Sequence, residues 1–272
     1  MTDANPYNAT LIGRRDIHDA LAVFKVRYDA CGVPDFEPGQ YTTLGLVDPD
    51  APPPNPNSPR SRRKGPKLVR RAYTIASTPK LKSHIEFYVV RVGEGRFTHL
   101  LWDLKPGDPL FMDVRIKGTF TLESIPNDKH IIAVGDDAGL APYLSMLNTY
   151  RGTGRWRKFV LLECCAKARD LAYADPLKKL ADEDDSFTYL PTLTGEPADS
   201  PWQGLRGDVH AILAPDRFHQ LTGLPLDPTQ CHVLLCGSPR MIDRAAEDLQ
   251  KLGFVTQNRD HPDGNIHFER YW

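Results

Sequence analysis

Residues 131–150 read IIAVGDDAGLAPYLSMLNTY, an apolar segment followed by an acidic, glycine-containing turn and then a helical stretch. The same order recurs three times further along the chain. The later apolar segments are residues 159–165, 187–193 and 232–236, and the helical stretches after them are residues 173–183, 210–218 and 239–253. Strands that are apolar throughout and alternate with helices are typical of a parallel sheet covered on both faces. We therefore predict an α/β parallel-sheet domain.

The chain before this region has a different pattern. Its apolar segments are short, rich in β-branched and aromatic residues, often alternating, and separated by Gly or Pro turns. They are residues 21–28, 40–47, 70–77, 84–92, 108–114 and 118–123, with one helical candidate at residues 98–104. This pattern predicts a small antiparallel β-barrel. The polar break at residues 124–129 separates two predicted domains, residues 1–126 and 127–272.

Composition excludes several classes of function. A formal charge of −1 gives no overall attraction to nucleic acid or to a membrane, and no apolar run approaches the roughly 18 residues that a membrane span needs. The N-terminal residues lack the basic and apolar segments of a signal peptide. We expect a cytoplasmic protein and a monomer. The five cysteines form no CxxC pair, so neither a disulfide framework nor a metal site is predicted.

Residues 48–67 form a Pro-rich segment that cannot adopt a regular element, because Pro fixes φ and removes a donor. Its end is basic. The cations are Arg60, Arg62, Arg63, Lys64 and Lys67. Two interpretations stay open: a solvated insertion, or a basic dock for an acidic protein partner.

Residues 70–77 read RRAYTIAS and bring three chemically useful side chains together on one predicted strand. Arg71 can fork onto a pyrophosphate, Tyr73 offers a flat face for an isoalloxazine ring, and Thr74 offers a hydroxyl. A Tyr in a strand most often packs in a core, so this segment does not by itself establish a flavin site.

The segment resembles the R-x-Y-S/T motif of ferredoxin–NADP reductases, and most closely that of their short bacterial branch. Further motifs follow in the family's order. They are residues 86–90 and 95–98, then Cys-Gly-Ser-Pro-Arg-Met at 236–241, then the aromatic end at 268–272. The resemblance covers nearly the whole chain. It implies a flavoenzyme that moves electrons between NADPH or NADH and ferredoxin or flavodoxin.

The resemblance also implies roles for individual residues. It places FAD against Arg71, Tyr73, Thr74, Tyr88, Val89, Val90, Arg96, Phe97, Thr98, Tyr271 and Trp272. It places the nucleotide site of the second domain at Gly139, Gly237, Pro239 and Met241. Thr74, Cys236 and Glu269 would surround the site of hydride transfer. No His or Cys stands in a flavinylation context, so FAD is expected to be held non-covalently.

The nicotinamide half departs from the family pattern. Where the family carries T-G-T-G-L-A-P, this chain has Asp136, Asp137 and Ala138 before Gly139. Two carboxylates suit the capping of a helix N-terminus, and they would also repel a pyrophosphate there. Both interpretations stay open.

The family's basic positions for a 2′-phosphate are also changed. They align with Ala166, Gly195 and Asp208, while Lys167, Arg169 and Arg206 lie near enough in sequence to substitute. We expect a weakened preference for NADPH over NADH. The alternative function is a flavin-binding electron-transfer protein that has lost productive NAD(P)H use, and a scaffold without flavin is a third.

Overall fold

The computed structural model describes residues 5–50 and 68–271. The chain forms two compact units, Met1–Gly118 and Thr119–Trp272, whereas the sequence places the boundary between residues 126 and 127. Some predicted functional residues lie outside the described residues. They are Trp272 and the cations of the Pro-rich segment, Arg60, Arg62, Arg63, Lys64 and Lys67.

The first unit is an antiparallel β-barrel with one helix. Its elements are β1 (Ala9–His18), β2 (Leu21–Tyr28), β3 (Tyr41–Val47), β4 (Leu68–Thr74), β5 (Ile85–Val90), α1 (Arg96–Asp103) and β6 (Pro109–Met112). The strand order is β4-β3-β6-β1-β2-β5. The backbone N–H of Ala76 donates to Glu86 O at 2.9 Å, which joins the segment after β4 to β5 and links the two ends of the sheet.

Large apolar side chains fill the barrel. Phe24, Leu44 and Phe87 point inward from three strands, and Phe97 and Leu101 close one end from α1. Each is at most 2% exposed. Because burying such a side chain contributes about 1.5–3 kcal/mol, this core is a main source of the stability of the unit.

Two features of the barrel differ from the prediction. Strand β1 was not predicted, because its second half is polar and carries Arg14, Arg15 and Asp16. The predicted strand at residues 118–123 was wrong: Lys117 makes only an isolated bridge to Tyr41. The next residue, Gly118, has φ +117°, a conformation that turns the chain out of a strand.

The second unit is a parallel sheet between helices. The strands are β7 (His130–Asp136), β8 (Lys158–Cys165), β9 (Phe187–Leu193), β10 (Leu205–Arg206), β11 (Cys231–Gly237) and β12 (Ile266–Arg270). The helices are α2 (Ala141–Tyr150), α3 (Ala174–Glu183), α4 (Val209–Ile212), α5 (Pro215–Thr222) and α6 (Pro239–Lys251). The predicted fold class, a barrel followed by an α/β parallel sheet, is confirmed.

The sheet has the order β10-β9-β8-β7-β11-β12. The chain runs outward from β7 through β8, β9 and β10, and then returns to place β11 on the other side of β7. The order therefore reverses between β7 and β11. Open α/β sheets bind their ligands at the carboxyl ends of the strands at such a reversal.

The prediction missed some elements of this unit. Strand β10 has only two residues, and β12 was interpreted as an aromatic tail and not as a strand. The predicted helical stretch at 210–218 is two helices, because Pro215 begins α5 and cannot continue α4. In the described parts of the chain, no helix has the length and apolar character needed to cross a membrane.

Glu163 of β8 is a buried acid within the second unit. It is 1% exposed, the hydroxyl of Tyr189 donates to its carboxylate, and the Cys165 thiol lies 3.9 Å from it. Burial raises the pKa of Glu163 from 4.5 to about 7, against the smaller opposing effect of the Tyr189 hydrogen bond. The fold therefore favours the protonated carboxyl group.

This burial predicts a pH dependence of stability. A raised folded-state pKa contributes stability that is complete below about pH 4.5 and is lost as pH rises to about 7. At about 1.4 kcal/mol per pKa unit, the loss is about 3 kcal/mol. We expect Glu163→Gln to remove this part of the pH dependence, measured as the free energy of unfolding in urea at acidic and at alkaline pH. The same substitution at exposed Glu247 is the control, and an equal change there would contradict the assignment.

Candidate functional site

Strand β4 presents two consecutive arginines in different settings. The guanidinium of Arg70 lies 4.2 Å from the ring centroid of Phe111. Arg71 is exposed and donates to the carbonyl of Arg70 at 2.9 Å. Among residues 5–50 and 68–271, no carboxylate forms an ion pair with Arg71. Its charge is therefore available to an anionic ligand on the outside of the barrel.

The next residues of β4 add an aromatic face and a hydroxyl. The ring of Tyr73 packs against Phe97 of α1 at a centroid distance of 5.7 Å and against Phe87 of β5 at 6.3 Å. Burial raises the pKa of the Tyr73 hydroxyl well above its usual value, so this hydroxyl stays neutral. Thr74 is 6% exposed at the end of the strand. The structure thus brings the predicted residues of β4 and α1 into contact.

The turn before α1 is tightly packed. A Cβ on Gly95 would lie 2.7 Å from the Val92 side chain and 2.8 Å from Thr98 Oγ1, so this position needs glycine. Thr98 is 5% exposed and donates its hydroxyl to the carbonyl of Gly95 at 2.8 Å. The hydroxyl of Thr98, a residue predicted to contact FAD, therefore stabilises the turn by this hydrogen bond.

The structure gives Arg96 partners that the sequence analysis did not find. Its guanidinium forms a two-donor pair with Asp48 and a further contact of 3.2 Å with Asp50. Both carboxylates lie at the start of the Pro-rich segment, in its described part. The ion pair fixes the start of that segment to α1, and an FAD contact by Arg96 stays a prediction.

The other predicted FAD residues of β5 and α1 are mostly internal. Tyr88, Val89 and Phe97 are at most 3% exposed, and Val89 and Phe97 belong to the barrel core. Val90 is half-buried at the end of β5. A ligand outside the barrel could meet Val89 and Phe97 only through their backbone.

In the second unit, two predicted glycines allow very close backbone contact at the reversal between β7 and β11. A Cβ on Gly139 would lie 2.1 Å from the carbonyl oxygen of Cys236. Gly237 has φ +137°, and its Cβ would lie 1.6 Å from Asp136 Oδ1. Both positions need glycine for packing within the unit, independent of any ligand.

Asp136 links the ends of these two strands. Its carboxylate accepts a hydrogen bond from Ser238 N at 2.8 Å and another from the Ser238 hydroxyl. Ser238 is the N-cap of α6 and accepts from Met241 N at 3.4 Å. Asp136 therefore does not cap the helix that follows it, as one sequence interpretation held, but binds the start of α6. Ser238 was not among the predicted residues, although a Ser before Pro is a typical start of a helix.

Asp137 has a strained backbone conformation and lies near other acidic residues. Its φ of +46° is the one positive value of a non-glycine residue in the described ranges. The family pattern has glycine here, the residue for which this conformation carries no steric cost. Burial first, and then the charges of Asp136 and Asp170, raise the pKa of Asp137 to about 6.

The predicted catalytic residues of this unit lie together near the ends of β11 and β12. Cys236 pairs with Glu269 in the strand register, and Tyr271 N donates to Gly237 O at 2.9 Å. Cys236 is fully buried, and burial together with the charge of Glu269 raises its pKa well above the usual value. The thiol is therefore neutral. Thr74 belongs to the other unit.

The last predicted residues of the unit lie in α6. Pro239 is its first residue, and Met241, which is 8% exposed, packs into the main core of the unit. The Met241 side chain thus has a structural role here.

Internal hydrogen bonds hold the region that aligns with the family's basic positions for a 2′-phosphate. Gly195 N donates to Ala166 O at 2.9 Å, and Lys167 Nζ donates to Gly195 O. The guanidinium of Arg206 donates four hydrogen bonds within one loop. Its acceptors are Glu196 O, Pro197 O, Ser200 Oγ and Trp202 O.

The other charges of this region are also arranged in pairs. Asp208 caps α4 by accepting from Ala211 N and forms an ion pair with Arg244 at 3.0 Å. Arg169 is exposed, and Asp170 is its ion-pair partner at 3.9 Å. Arg206 is therefore used by the loop, whereas Arg169 is exposed and Lys167 is half-buried.

Comparison with known proteins identifies this arrangement. Residues 132–247 match the family model of the oxidoreductase NAD-binding domain. The chain superposes on a ferredoxin NADP+ reductase from Neisseria gonorrhoeae, solved with bound FAD and NADP, with a TM-score of 0.83 and 20% sequence identity. The match covers 98% of this chain and 100% of that chain. The fold is that of a two-domain oxidoreductase with an NAD-binding α/β domain.

Sequence relatives define the family. The chain is 30% identical over 237 residues to the flavodoxin/ferredoxin–NADP reductase of Buchnera aphidicola subsp. Schizaphis graminum, covering 87% of this chain and 88% of the relative. It is 30% identical over 273 residues to ferredoxin–NADP reductase B of Sorangium cellulosum, covering 100% of both. The chain belongs to the flavodoxin/ferredoxin–NADP reductase family of flavoenzyme oxidoreductases. The predicted family is confirmed.

Proposed function

We propose that this chain is an FAD-dependent reductase that moves electrons between NAD(P)H and ferredoxin or flavodoxin. The observation that carries the proposal is the exposed Arg71 beside the Tyr73 ring on β4, in a chain of this family; no carboxylate of the described residues forms an ion pair with this arginine. FAD bound there would accept a hydride from the nicotinamide and release electrons one at a time.

The residues of the barrel fit this cofactor. Arg71 would bind the pyrophosphate, because a guanidinium can donate two parallel hydrogen bonds to phosphate oxygens. Tyr73 would supply a flat face whose orientation is fixed by Phe87 and Phe97. Thr74 would offer its hydroxyl beside the ring system. Tyr271 would cover the flavin, as Trp272 would cover the adenine.

The second unit would hold the nicotinamide nucleotide. The chain reversal between β7 and β11 is where such a sheet binds ligands, and Cys236 and Glu269 lie at its carboxyl edge. Because the Cys236 thiol is neutral, it would line the site and would not act as a base. Glu269 would be the charged group beside it.

The protein partner can be assigned only as a class of electron carrier. The names of the relatives support ferredoxin or flavodoxin as the carrier. A dock for an acidic carrier on Arg60, Arg62, Arg63 and Lys64 stays a prediction, as do the monomeric state and the cytoplasmic location.

The function is tested by mixing the yellow protein with NADPH or NADH without oxygen and following the flavin absorbance. We expect the nucleotide to reduce the flavin, so that the visible absorbance of the flavin falls. An oxidised carrier should then restore that absorbance. Retention of flavin without bleaching by either nucleotide would support the alternative, a flavin protein that has lost productive NAD(P)H use. A protein that binds no flavin would exclude both.

Arg71 and Arg70 provide a matched test of the FAD site. A charge-assisted hydrogen bond contributes about 1.5–3 kcal/mol, so we expect Arg71→Ala to weaken FAD binding on the order of tenfold to a hundredfold. Arg70→Ala removes the same charge from the same strand but loses only the contact with Phe111. The measurement is FAD titration of the apoprotein by fluorescence. Equal weakening by both variants would argue against a direct contact by Arg71.

The choice of nucleotide is tested at Ala166, which is exposed and can accommodate a longer side chain. We expect wild type to prefer NADPH by less than about a thousandfold, because losing two charge-assisted bonds removes about 3–6 kcal/mol. Ala166→Arg should raise kcat/KM for NADPH on the order of tenfold or more and leave that for NADH nearly unchanged.

The control adds the same charge nearby, at exposed Ala168. If Ala168→Arg raised kcat/KM for NADPH as much as Ala166→Arg, the gain would come from added positive charge in general and not from an arginine at position 166. A strong wild-type preference for NADPH would mean that Lys167 or Arg169 binds the phosphate.

A further inference from the structure

The amino ends of the strands in the second unit form the edge of the sheet that lies opposite to the carboxyl ends of β7 and β11. Because the strands are parallel, β7, β8 and β9 all begin at this edge. Backbone hydrogen bonds join their first residues. Arg157 N donates to Lys129 O at 2.9 Å, and Phe159 N donates to Ser186 O at 2.7 Å. Segments that are far apart in sequence therefore form one surface here.

Four cations lie on this edge and are called here the basic patch. They precede β7, follow α2 and begin β8: Lys129, Arg151, Arg157 and Lys158. Arg151 and Arg157 are exposed, and the two lysines are half-buried. Burial first, and then the charges of Arg157 and Lys158, lower the pKa of His130, so both cations lie near the same ring. Among residues 5–50 and 68–271, no carboxylate forms an ion pair with any of the four.

The loop that carries the basic patch is held in place by its other residues. Arg155 donates to Asn127 Oδ1 at 2.6 Å and to Ile125 O at 2.9 Å, which ties this loop to the segment before β7. Trp156 is 8% exposed and packs against Phe159 at a ring-centroid distance of 4.9 Å. Cations held close together repel one another, and an anionic partner relieves that repulsion.

Acidic residues lie next to the basic patch on the same edge. Residues 182–185 read Asp-Glu-Asp-Asp, end α3 and precede β9, and are called here the acidic block. Asp182 and Asp185 are exposed, whereas Asp184 accepts hydrogen bonds from the backbone and the hydroxyl of Ser186. Within the described ranges, no ion pair joins the acidic block to the basic patch. The edge therefore presents positive charge beside β7 and β8 and negative charge beside β9.

This pattern of charge favours a protein as the occupant. A nucleic acid or an anionic membrane is negative throughout, so the acidic block would repel what the basic patch attracts. A permanent interface with a second copy is more apolar than this surface. The exposed large apolar side chains of the second unit that the structure describes lie outside both charged groups, at Leu252, Val255 and Phe268. A polar surface that matches charges of both signs is typical of a transient protein complex.

We propose that the amino edge of the second sheet is a docking surface for a transient protein partner, whose acidic residues meet the basic patch and whose basic residues meet the acidic block. The surface lies opposite to the carboxyl edge, where the strand order reverses between β7 and β11. The inference goes beyond the proposed function, because it requires neither the flavin nor the nucleotide.

The test uses the full-length FAD-loaded protein and two fluorescent peptides, followed by anisotropy in about 0.15 M salt, where the Debye length is about 8 Å. The first peptide has a run of glutamates and a run of lysines, kept apart by a stiff proline-rich spacer. The second peptide has the glutamates alone. We expect the two-signed peptide to bind more tightly, because both of its ends are engaged at once, and both affinities to fall as salt is added.

Two double variants assign the binding to the two charged groups. Arg151→Glu with Arg157→Glu should weaken binding of both peptides on the order of tenfold. Asp182→Lys with Asp185→Lys should weaken binding of the two-signed peptide and strengthen that of the glutamate peptide, an opposite response that general charge attraction would not give. Flavin content and the melting temperature check that each variant is folded.

The control for net charge is Arg27→Glu with Lys105→Glu, which makes the same change at exposed positions of the first unit. Equal weakening by this control would overturn the inference. So would an absence of peptide binding by wild type, or an acidic-block variant that binds both peptides more tightly.

Other occupants give different results. Tighter binding of a DNA duplex or of phosphatidylserine vesicles than of the two-signed peptide would overturn the inference in favour of a uniformly anionic partner. A concentration-dependent dimer in ultracentrifugation, abolished by Arg151→Glu with Arg157→Glu, would overturn it in favour of a second copy. The proposed function stands in every case, since reduction of the flavin by the nucleotide is measured separately.

Discussion

The second unit depends on the close contact between the carboxyl ends of β7 and β11. The backbone around Gly139 lies against the carbonyl of Cys236, and Gly237 lies against the carboxylate of Asp136. The hydroxyl of Tyr143 lies within hydrogen-bond distance of both Val134 O and Leu234 O, one carbonyl from each strand. Everything at this edge of the sheet is positioned by that contact, including the start of α6.

The same contact explains why the nicotinamide site differs in character from the flavin site. The predicted flavin side presents Arg71, which has no carboxylate ion-pair partner within residues 5–50 and 68–271, and the ring of Tyr73, which packs against two other rings. In the second unit, the carboxylate of Asp136 accepts hydrogen bonds from Ser238 of the same unit, and the Arg206 guanidinium donates four hydrogen bonds within its own loop. The first unit thus offers the positive charge of Arg71 to an anionic ligand, whereas the second unit already holds the carboxylate of Asp136 at the start of α6.

Much of this architecture could be predicted from local sequence. Alternation and turn residues predicted five of the six barrel strands, and the strand–helix repeats predicted the parallel sheet, because both patterns arise from neighbouring residues. The side chains of Arg71, Tyr73 and Thr74 suit a flavin, but the resemblance to the reductase family was needed to predict FAD there, and their contacts with FAD stay a prediction. Strand β12 and the two-residue β10 were not predictable in this way, since their pairing with distant strands defines them.

The partners of charged side chains were the least predictable feature. The carboxylate of Asp136 meets Ser238, 102 residues away, and the guanidinium of Arg96 meets Asp48, 48 residues before it. No local pattern carries such pairs, because the topology and not the neighbouring sequence brings them together. Repulsion of a phosphate by Asp136 was foreseeable from its charge, whereas its hydrogen bond to the start of α6 was not.

The backbone conformation at Asp137 has an evolutionary consequence. A side chain in the left-handed region costs roughly 1–2 kcal/mol that glycine would not. Codons for Asp and Gly differ by one nucleotide, so a single point mutation could relieve this strain and delete the charge together. The turn is therefore a place where the fold could gain stability and the nucleotide affinity could change in one mutational step.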